Sequence, residues 1–303
     1  MNVSRRTTFG ICVITASLLL SSCADHWADL YSSAASFNSG RVAAVCGRYN
    51  ICVWNLNTGR LSRKIKAPRW FSCLALSPDG RMLASGHDDA SVILWNLETG
   101  AKIRQFTSSP HDAWAFAVAF SHDGKRLAAV GLGWPVRVWD VNTGDLAELS
   151  TSSSATHQVS FSPNDQILAS GGDDGSIRLF SVGSKKLKFM LQPHNAVIHA
   201  LAFSPDGRVL VSSSGNVGPD SWDAATGKHS HSRIDFWDVG TSNHMAEIPV
   251  SSSTSGLAFS PDGNVLRQQA MASCGYGMLP PTMSGECSPV ADRTYTSRMT
   301  ARL

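Results

Sequence analysis

The sequence predicts an all-β fold, a radial stack of four-stranded sheets, and three observations carry the prediction. A strand–turn–strand phrase recurs as "LALSPDGRMLASG", "VAFSHDGKRLAAVG", "VSFSPNDQILASGG", "LAFSPDGRVLVSS" and "LAFSPDGNVLRQQ". Its serine falls at Ser77, Ser121, Ser162, Ser204 and Ser260, with first intervals of 44, 41 and 42 residues. A second phrase follows the first four copies ("ILWNLETG", "RVWDVNTG", "RLFSVGSK", "DFWDVGTS"), and "CVWNLNTG" precedes them all. A fixed period of this size marks supersecondary units that bury their faces by stacking.

Within one unit, "CLALS" reads as the first strand and "SPDG" as a turn. Pro78 presets φ, Asp79 bonds its own backbone, and Gly80 takes positive φ. "RMLASG" is the second strand, "HDDA" a tight connection, "SVILWN" the third strand, and "AKIRQF" closes the unit. The third strand is apolar almost throughout, as a strand covered on both faces must be. It ends on an aromatic anchor, one of Trp54, Trp95, Trp139, Phe180 and Trp237.

The period, the SPDG turn and the WD or WN dipeptide together resemble the WD40-repeat β-propeller family over roughly Tyr31 to Val265. The resemblance implies a propeller with five recognisable blades and a truncated sixth. It also implies a buried network of a His before the first strand, a Ser or Thr on the second, an Asp in the next turn and the anchoring Trp. By position only His111 and His194 fill the His slot, and Ala67 occupies it in the unit of Ser85, Asp88 and Trp95. The sequence therefore predicts no complete network, with Asp88, Asp173, His111 and His194 as structural remnants beside Trp54, Trp95, Trp139 and Trp237.

The chain has 303 residues and a formal net charge of +3, with no basic run that would argue for nucleic acid. "MNVSRRTTFGICVITASLLLSSC" has a basic start and a short apolar run, the form of a secretory leader. "LSSC" resembles a bacterial lipobox, which implies cleavage before Cys23, lipid on that cysteine and a membrane-anchored envelope protein; ordinary cleavage after Ala24 is the alternative. Export by the Sec or the twin-arginine route stays open. The organisation expected is a signal peptide over 1–22, a linker or closing strand over 23–35, blades over 36–266 with an insertion at 215–233, and a non-repeat tail over 267–303. Cys46 and Cys52 flank a hairpin turn, so a disulfide in an oxidising compartment and two buried thiols are both compatible with them.

No nucleophile elbow, metal-binding HExxH or phosphate loop is present in the sequence, and no cofactor or metal site is expected. A binding face is easier to argue. Seven residues before the landmark serines stand Trp70 and Trp114; five before stand Phe116, His157 and His199. In resembling propellers these offsets project into a loop-rich partner-binding face. With Arg69 and with Trp222 of the insertion they form the expected site for a protein partner, since Trp and Arg dominate interface hot spots. His229 and His231 lack a third metal ligand. The functional expectation is a non-catalytic interaction scaffold. The alternatives are a lactonase-like propeller hydrolase and a degraded gene product.

After Val265 a second strand and an "LWD" phrase are due, and neither is apparent. Permissible codons for Gln268 to Leu279, read from the third base, allow "AGYGQLRLWDA", which has the form of the third strand and turn then due; a natural disordered tail is the alternative. A shifted reading frame is therefore expected to underlie the tail. Unpaired sheet edges would then favour self-association, and "DHWADLYSSA" is a candidate for the outer strand of a final blade. Sequencing the gene across codons 260 to 303 should show an insertion or deletion near codon 267, with repeats resuming in the other frame; an intact frame without a hidden repeat would contradict this.

Overall fold

The computed structural model describes residues 33–36, 40–46, 49–107, 113–149, 154–191, 196–215, 222–223, 228–229, 232–250 and 254–270. These form five four-stranded antiparallel sheets and one two-stranded sheet arranged as propeller blades, plus a small hairpin. Blade 1 is β1 (Ser33–Ser36), β2 (Arg41–Val45), β3 (Asn50–Asn55) and β4 (Arg60–Lys66). Blade 2 is β5 (Phe71–Leu76), β6 (Met82–His87), β7 (Val92–Asn96) and β8 (Lys102–Phe106). Blade 3 is β9 (Ala113–Phe120), β10 (Arg126–Leu132), β11 (Val136–Asp140) and β12 (Leu146–Leu149). Blade 4 is β13 (Thr156–Phe161), β14 (Ile167–Gly172), β15 (Ile177–Ser181) and β16 (Lys186–Leu191). Blade 5 is β17 (Val197–Phe203), β18 (Val209–Gly215), β21 (Arg233–Asp238) and β22 (His244–Pro249), interrupted by the hairpin of β19 (Trp222–Asp223) and β20 (Lys228–His229). The sixth sheet has two strands, β23 (Thr254–Phe259) and β24 (Leu266–Ala270).

First strands pack side by side in the order β1, β5, β9, β13, β17, β23, and no comparable contact joins β23 back to β1 among the described residues. The described blades thus form an open arc. Its core lies between blades. Ile51, Ile65, Leu83, Ile93 and Trp95 fill the first interface, and Leu94, Phe106, Leu127 and Trp139 the second. Leu168 and Phe180 lie in the third, while Leu179, Leu210 and Trp237 lie in the fourth. Each third strand sends alternate side chains to opposite neighbours, which is why it reads as an unbroken apolar run.

The landmark serine closes the turn between the first two strands. Ser77 Oγ donates to Asp79 Oδ1 at 2.6 Å and accepts from the Met82 amide at 2.9 Å, while Asp79 accepts from the Arg81 amide. Ser121 with Asp123, Ser162 with Asn164, and Ser204 with Asp206 repeat the pattern. Polar ties then link blades. Arg63 donates to the Glu98 and Thr99 carbonyls of blade 2, and Arg104 to the Asn142 and Thr143 carbonyls of blade 3. Asp165 accepts from the His122 and Asp123 amides.

Two expected boundaries move. Ser33–Ser36 is the first strand of blade 1, paired Ser33 to Ala44 through Ser36 to Arg41, so blade 1 begins before residue 36. That assigns Ser33 and Ala34 to blade 1 and not to the outer strand of a final blade; the rest of "DHWADLYSSA" lies outside the described residues. The second strand expected to be missing after Val265 is present, with Leu266 opposite Phe259 and Ala270 opposite Thr254. Its sequence, "LRQQA", lacks alternation, and pairing with β23 imposes the strand. Cys23, His111, His194 and His231 lie outside the described residues, as do the leader and the tail beyond Ala270.

The turn carboxylates give the fold an acid limit. Ser204 and the Arg208 amide hold Asp206 below the usual carboxylate range, and Ser260 and the Asn264 amide do the same for Asp262. At Asp79 and Asp123, partial burial pushes the other way, but the Ser77 and Ser121 bonds and the following amides prevail. A depressed folded pKa contributes stability that is present above the unfolded value of about 3.9 and is lost as pH falls through the folded value. The melting temperature should therefore fall steeply below about pH 4, and S204A should blunt that fall in thermal scans.

Candidate partner-binding face

The first strand of every blade from the second onward carries a β-bulge near its start. The irregularity lies between Phe71 and Cys73, between Ala115 and Ala117 opposite Gly131 and Val130, between Thr156 and Gln158, between Ile198 and Ala200, and between Thr254 and Gly256. The bulged residues are Ser72, Phe116, His157, His199 and Ser255, the positions five before each landmark serine. A bulge re-aims the side chain it carries, so a fixed sequence offset identifies residues turned out of the regular pleat.

Trp70 and Trp114 stand two residues earlier, 41% and 39% exposed. Their rings meet edge-to-face with centroids 6.2 Å apart. Trp114 adopts φ of +49°, which is strained for a bulky residue. The strand end opposite it must then be glycine. A Cβ on Gly131 would lie 2.1 Å from the Trp114 carbonyl oxygen and 2.4 Å from Trp134 Nε1. Arg69 makes an ion pair with Asp89 at 2.8 Å and lies 3.9 Å from Asp88. Phe116 stacks on His157 at 5.0 Å, and His157 Nε2 reaches Asp173 Oδ1 at 2.5 Å. The structure thus brings Arg69, Trp70, Trp114, Phe116 and His157 together across blades 2 to 4.

One expected member differs. His199 occupies the same bulge position as His157 but is only 8% exposed, with Nε2 2.9 Å from the Gly215 carbonyl. It is a buried structural residue and does not line the face. Trp222 lies in β19, paired with His229 of β20 in the insertion's hairpin.

The buried network is also richer than the sequence predicts. Trp95 Nε1 donates to Ser85 Oγ at 2.8 Å, and Ser85 Oγ lies 2.9 Å from His87 Nε2. His87 Nδ1 lies 3.0 Å from the Trp70 carbonyl. That carbonyl can only accept, so Nδ1 carries the proton and Nε2 accepts from Ser85. Blade 2 thus holds a partial network without an Asp, in which His87 supplies the imidazole from the second strand, where residues two apart share a face. The chain of bonds runs from the core Trp95 to the backbone of the exposed Trp70. In blade 5, Trp237 Nε1 donates to Ser212 Oγ at 3.0 Å, while blade 3 has Ala129 at that position.

The Asp pairs divide their work. Asp89 and Asp174 hold the tight turns by accepting from the Ser91 and Ser176 amides. The first members, Asp88 and Asp173, hold the loop through their backbone amides, which donate to the Trp70 and Ala155 carbonyls. Their side chains face Arg69 and His157. "GLGWP" replaces an Asp with Trp134, which is 1% exposed and lies under the Arg137 guanidinium at 4.9 Å.

Two further clusters bear on chemistry. Asp235, His244 and Glu247 have metal-like proximity. Arg233 lies 3.5 Å from Asp235 and 3.0 Å from Glu247, so a guanidinium already supplies the cation there. Cys46 and Cys52 are joined in a disulfide across the β2–β3 hairpin, with Cα atoms 5.7 Å apart. Burial pushes the Cys73 thiol up to about 12, which leaves it unreactive.

Replacing Ser85 with Ala should strand two buried groups and destabilise the protein by about 1–3 kcal/mol, lowering the melting temperature by several degrees. Burial also holds His87 below the usual imidazole range, so its contribution is present above the unfolded value of about 6.5 and is lost as pH falls through the folded value. H87N should remove that part of the pH dependence.

Comparison with known proteins agrees with this architecture. Residues 59–96, 145–181 and 185–217 match the family model described as WD domain, G-beta repeat. The Small ribosomal subunit protein RACK1 of Caenorhabditis elegans is 29% identical over 281 residues, covering 71% of this chain and 81% of its own length. Periodic tryptophan protein 2 of Arabidopsis thaliana is 28% identical over 239 residues, 76% of this chain. The chain spans only 25% of that relative and 18% of the Danio rerio Apoptotic protease-activating factor 1. Among solved structures, a chain of the Mitotic Checkpoint Complex superposes with a TM-score of 0.69 at 21% identity, covering 82% of this chain and 74% of its own. A chain of Kuenenia stuttgartiensis Hydrazine Synthase gives 0.69 at 15%, covering 81% and 76%. At such identities the likeness shows the fold alone. Five sheets of the repeat's four-stranded form and the three matched segments show a chain with an all-β, propeller-like fold that is similar to WD40-repeat proteins.

Proposed function

We propose that the protein is a non-catalytic interaction scaffold that binds a partner protein through the face carrying Arg69, Trp70, Trp114, Phe116 and His157. The observation that carries this reading is the pair of exposed indoles, Trp70 and Trp114, which meet edge-to-face across blades 2 and 3 beside the Phe116–His157 stack. Rigid aromatic side chains, exposed and clustered, have the composition of interface hot spots. The repeat-bearing relatives support a scaffold over an enzyme. The Hydrazine Synthase likeness carries no argument for catalysis, because it rests on fold alone.

The finer reading is an envelope lipoprotein, exported by its leader and held to the membrane through Cys23. The Cys46–Cys52 disulfide supports an oxidising compartment. The edge of β24 that pairs with no strand among the described residues offers a second mode of association, with another copy of the chain.

Two measurements test the proposal. Crosslinking in whole cells should attach a discrete protein to the wild type. The W70A/W114A double variant should lose it at an unchanged melting temperature; equal crosslinking by the double variant would contradict the face. Metabolic labelling with radioactive palmitate should mark the wild type and not C23A, and the absence of label on the wild type would contradict the anchor.

A further inference from the structure

We infer that the corner between Trp70 and Trp114 receives a cationic side chain, an Arg or a Lys, of the bound protein. This rests on the partner-binding reading and adds the chemistry that the face recognises. The two rings meet at an interplanar angle of 67°, which makes a corner, and both are open to solvent. The backbone of Asp88 forms its support: the Asp88 amide donates to the Trp70 carbonyl at 3.3 Å, and the Trp114 amide donates to the Asp88 carbonyl at 3.2 Å. The Asp88 backbone is therefore tied to both Trp70 and Trp114, and its carboxylate lies 3.9 Å from Arg69. Its Oδ1 is buried without a hydrogen-bond partner, while the side chain as a whole is 38% exposed.

The charge of the corner points the same way. Arg69 is committed to Asp89 at 2.8 Å and stays 3.9 Å from Asp88, beyond hydrogen-bond reach. Among the described residues two carboxylates, Asp88 and Asp89, stand beside the one guanidinium of Arg69. Ring faces attract cations within about 6 Å of the centroid. Among the described residues the cations that lie over rings are Arg137 on Trp134 and Lys188 on Phe189, and none of the described cations lies over the corner rings. An acidic partner group would meet Asp88, and a purely apolar one would leave its charge uncompensated. Trp114 holds a backbone φ of +49° opposite Gly131, where an added Cβ would meet its carbonyl oxygen, so the backbone that presents this ring is closely packed.

The test uses the full chain and three tetrapeptides: tetra-arginine, the uncharged isostere tetra-citrulline, and tetra-glutamate. Indole N–H signals of Trp70 and Trp114 are assigned through W70F and W114F and followed by NMR. Tetra-arginine should shift both signals, and D88N should weaken its binding about five-fold or more at an unchanged melting temperature. Tetra-citrulline and tetra-glutamate should leave both signals in place. Equal shifts with tetra-citrulline, or full affinity in D88N, would overturn the cationic assignment while leaving the face intact. Tetra-arginine that moves other signals only would also overturn it. Failure of the partner-binding reading is seen separately, as crosslinking that survives W70A/W114A.

Discussion

A four-stranded sheet with apolar residues on both faces cannot stand in water alone, and this one constraint organises the protein. Leu83, Ile93 and Leu94 are fully buried only because blade 2 has a blade on each side. Burying such side chains stabilises by roughly 1.5–3 kcal/mol each, so the interfaces between blades outweigh the individual polar ties. The matched repeats begin on the outer strand of one blade and run into the next: residues 59–96 span β4 to β7. A repeat unit that straddles two blades makes each blade's completion depend on its neighbour.

The polar elements refine what this burial imposes. Arg63 and Arg104 reach the same turn of the following blade and fix the angle between sheets. The Trp95–Ser85–His87 bonds end on the Trp70 carbonyl, which ties core packing to the position of an exposed aromatic residue. On the proposed function, stability and recognition are coupled at that carbonyl. A change in the core of blade 2 reaches the partner face without touching it, so a change in binding on altering Ser85 or His87 reports position and not contact.

The face itself follows from the bulges. A regular strand alternates its side chains between two neighbouring blades and leaves none for the solvent at its entry. An extra residue in the first strands from blade 2 onward releases a side chain there, and Phe116 and His157 use that release to stack across two blades. The same release in blade 5 turns His199 inward to a carbonyl. One backbone device thus serves recognition in one blade and closure in another.

Much of this was legible in the residues alone. Strand order, the SPDG turns and the apolar third strands follow from local propensity and period, which need no tertiary context. The fixed offsets located Trp70, Trp114, Phe116 and His157, because each unit repeats the same backbone. What the sequence could not decide was set by contacts distant in the chain. His87 joins a network only because β6 folds its end against the Trp70 carbonyl. His157 and His199 share an offset and diverge because Asp173 meets one and the Gly215 carbonyl meets the other. Ser33–Ser36 and Leu266–Ala270 become strands because a neighbour's unpaired amides and carbonyls need partners, a demand that composition does not record.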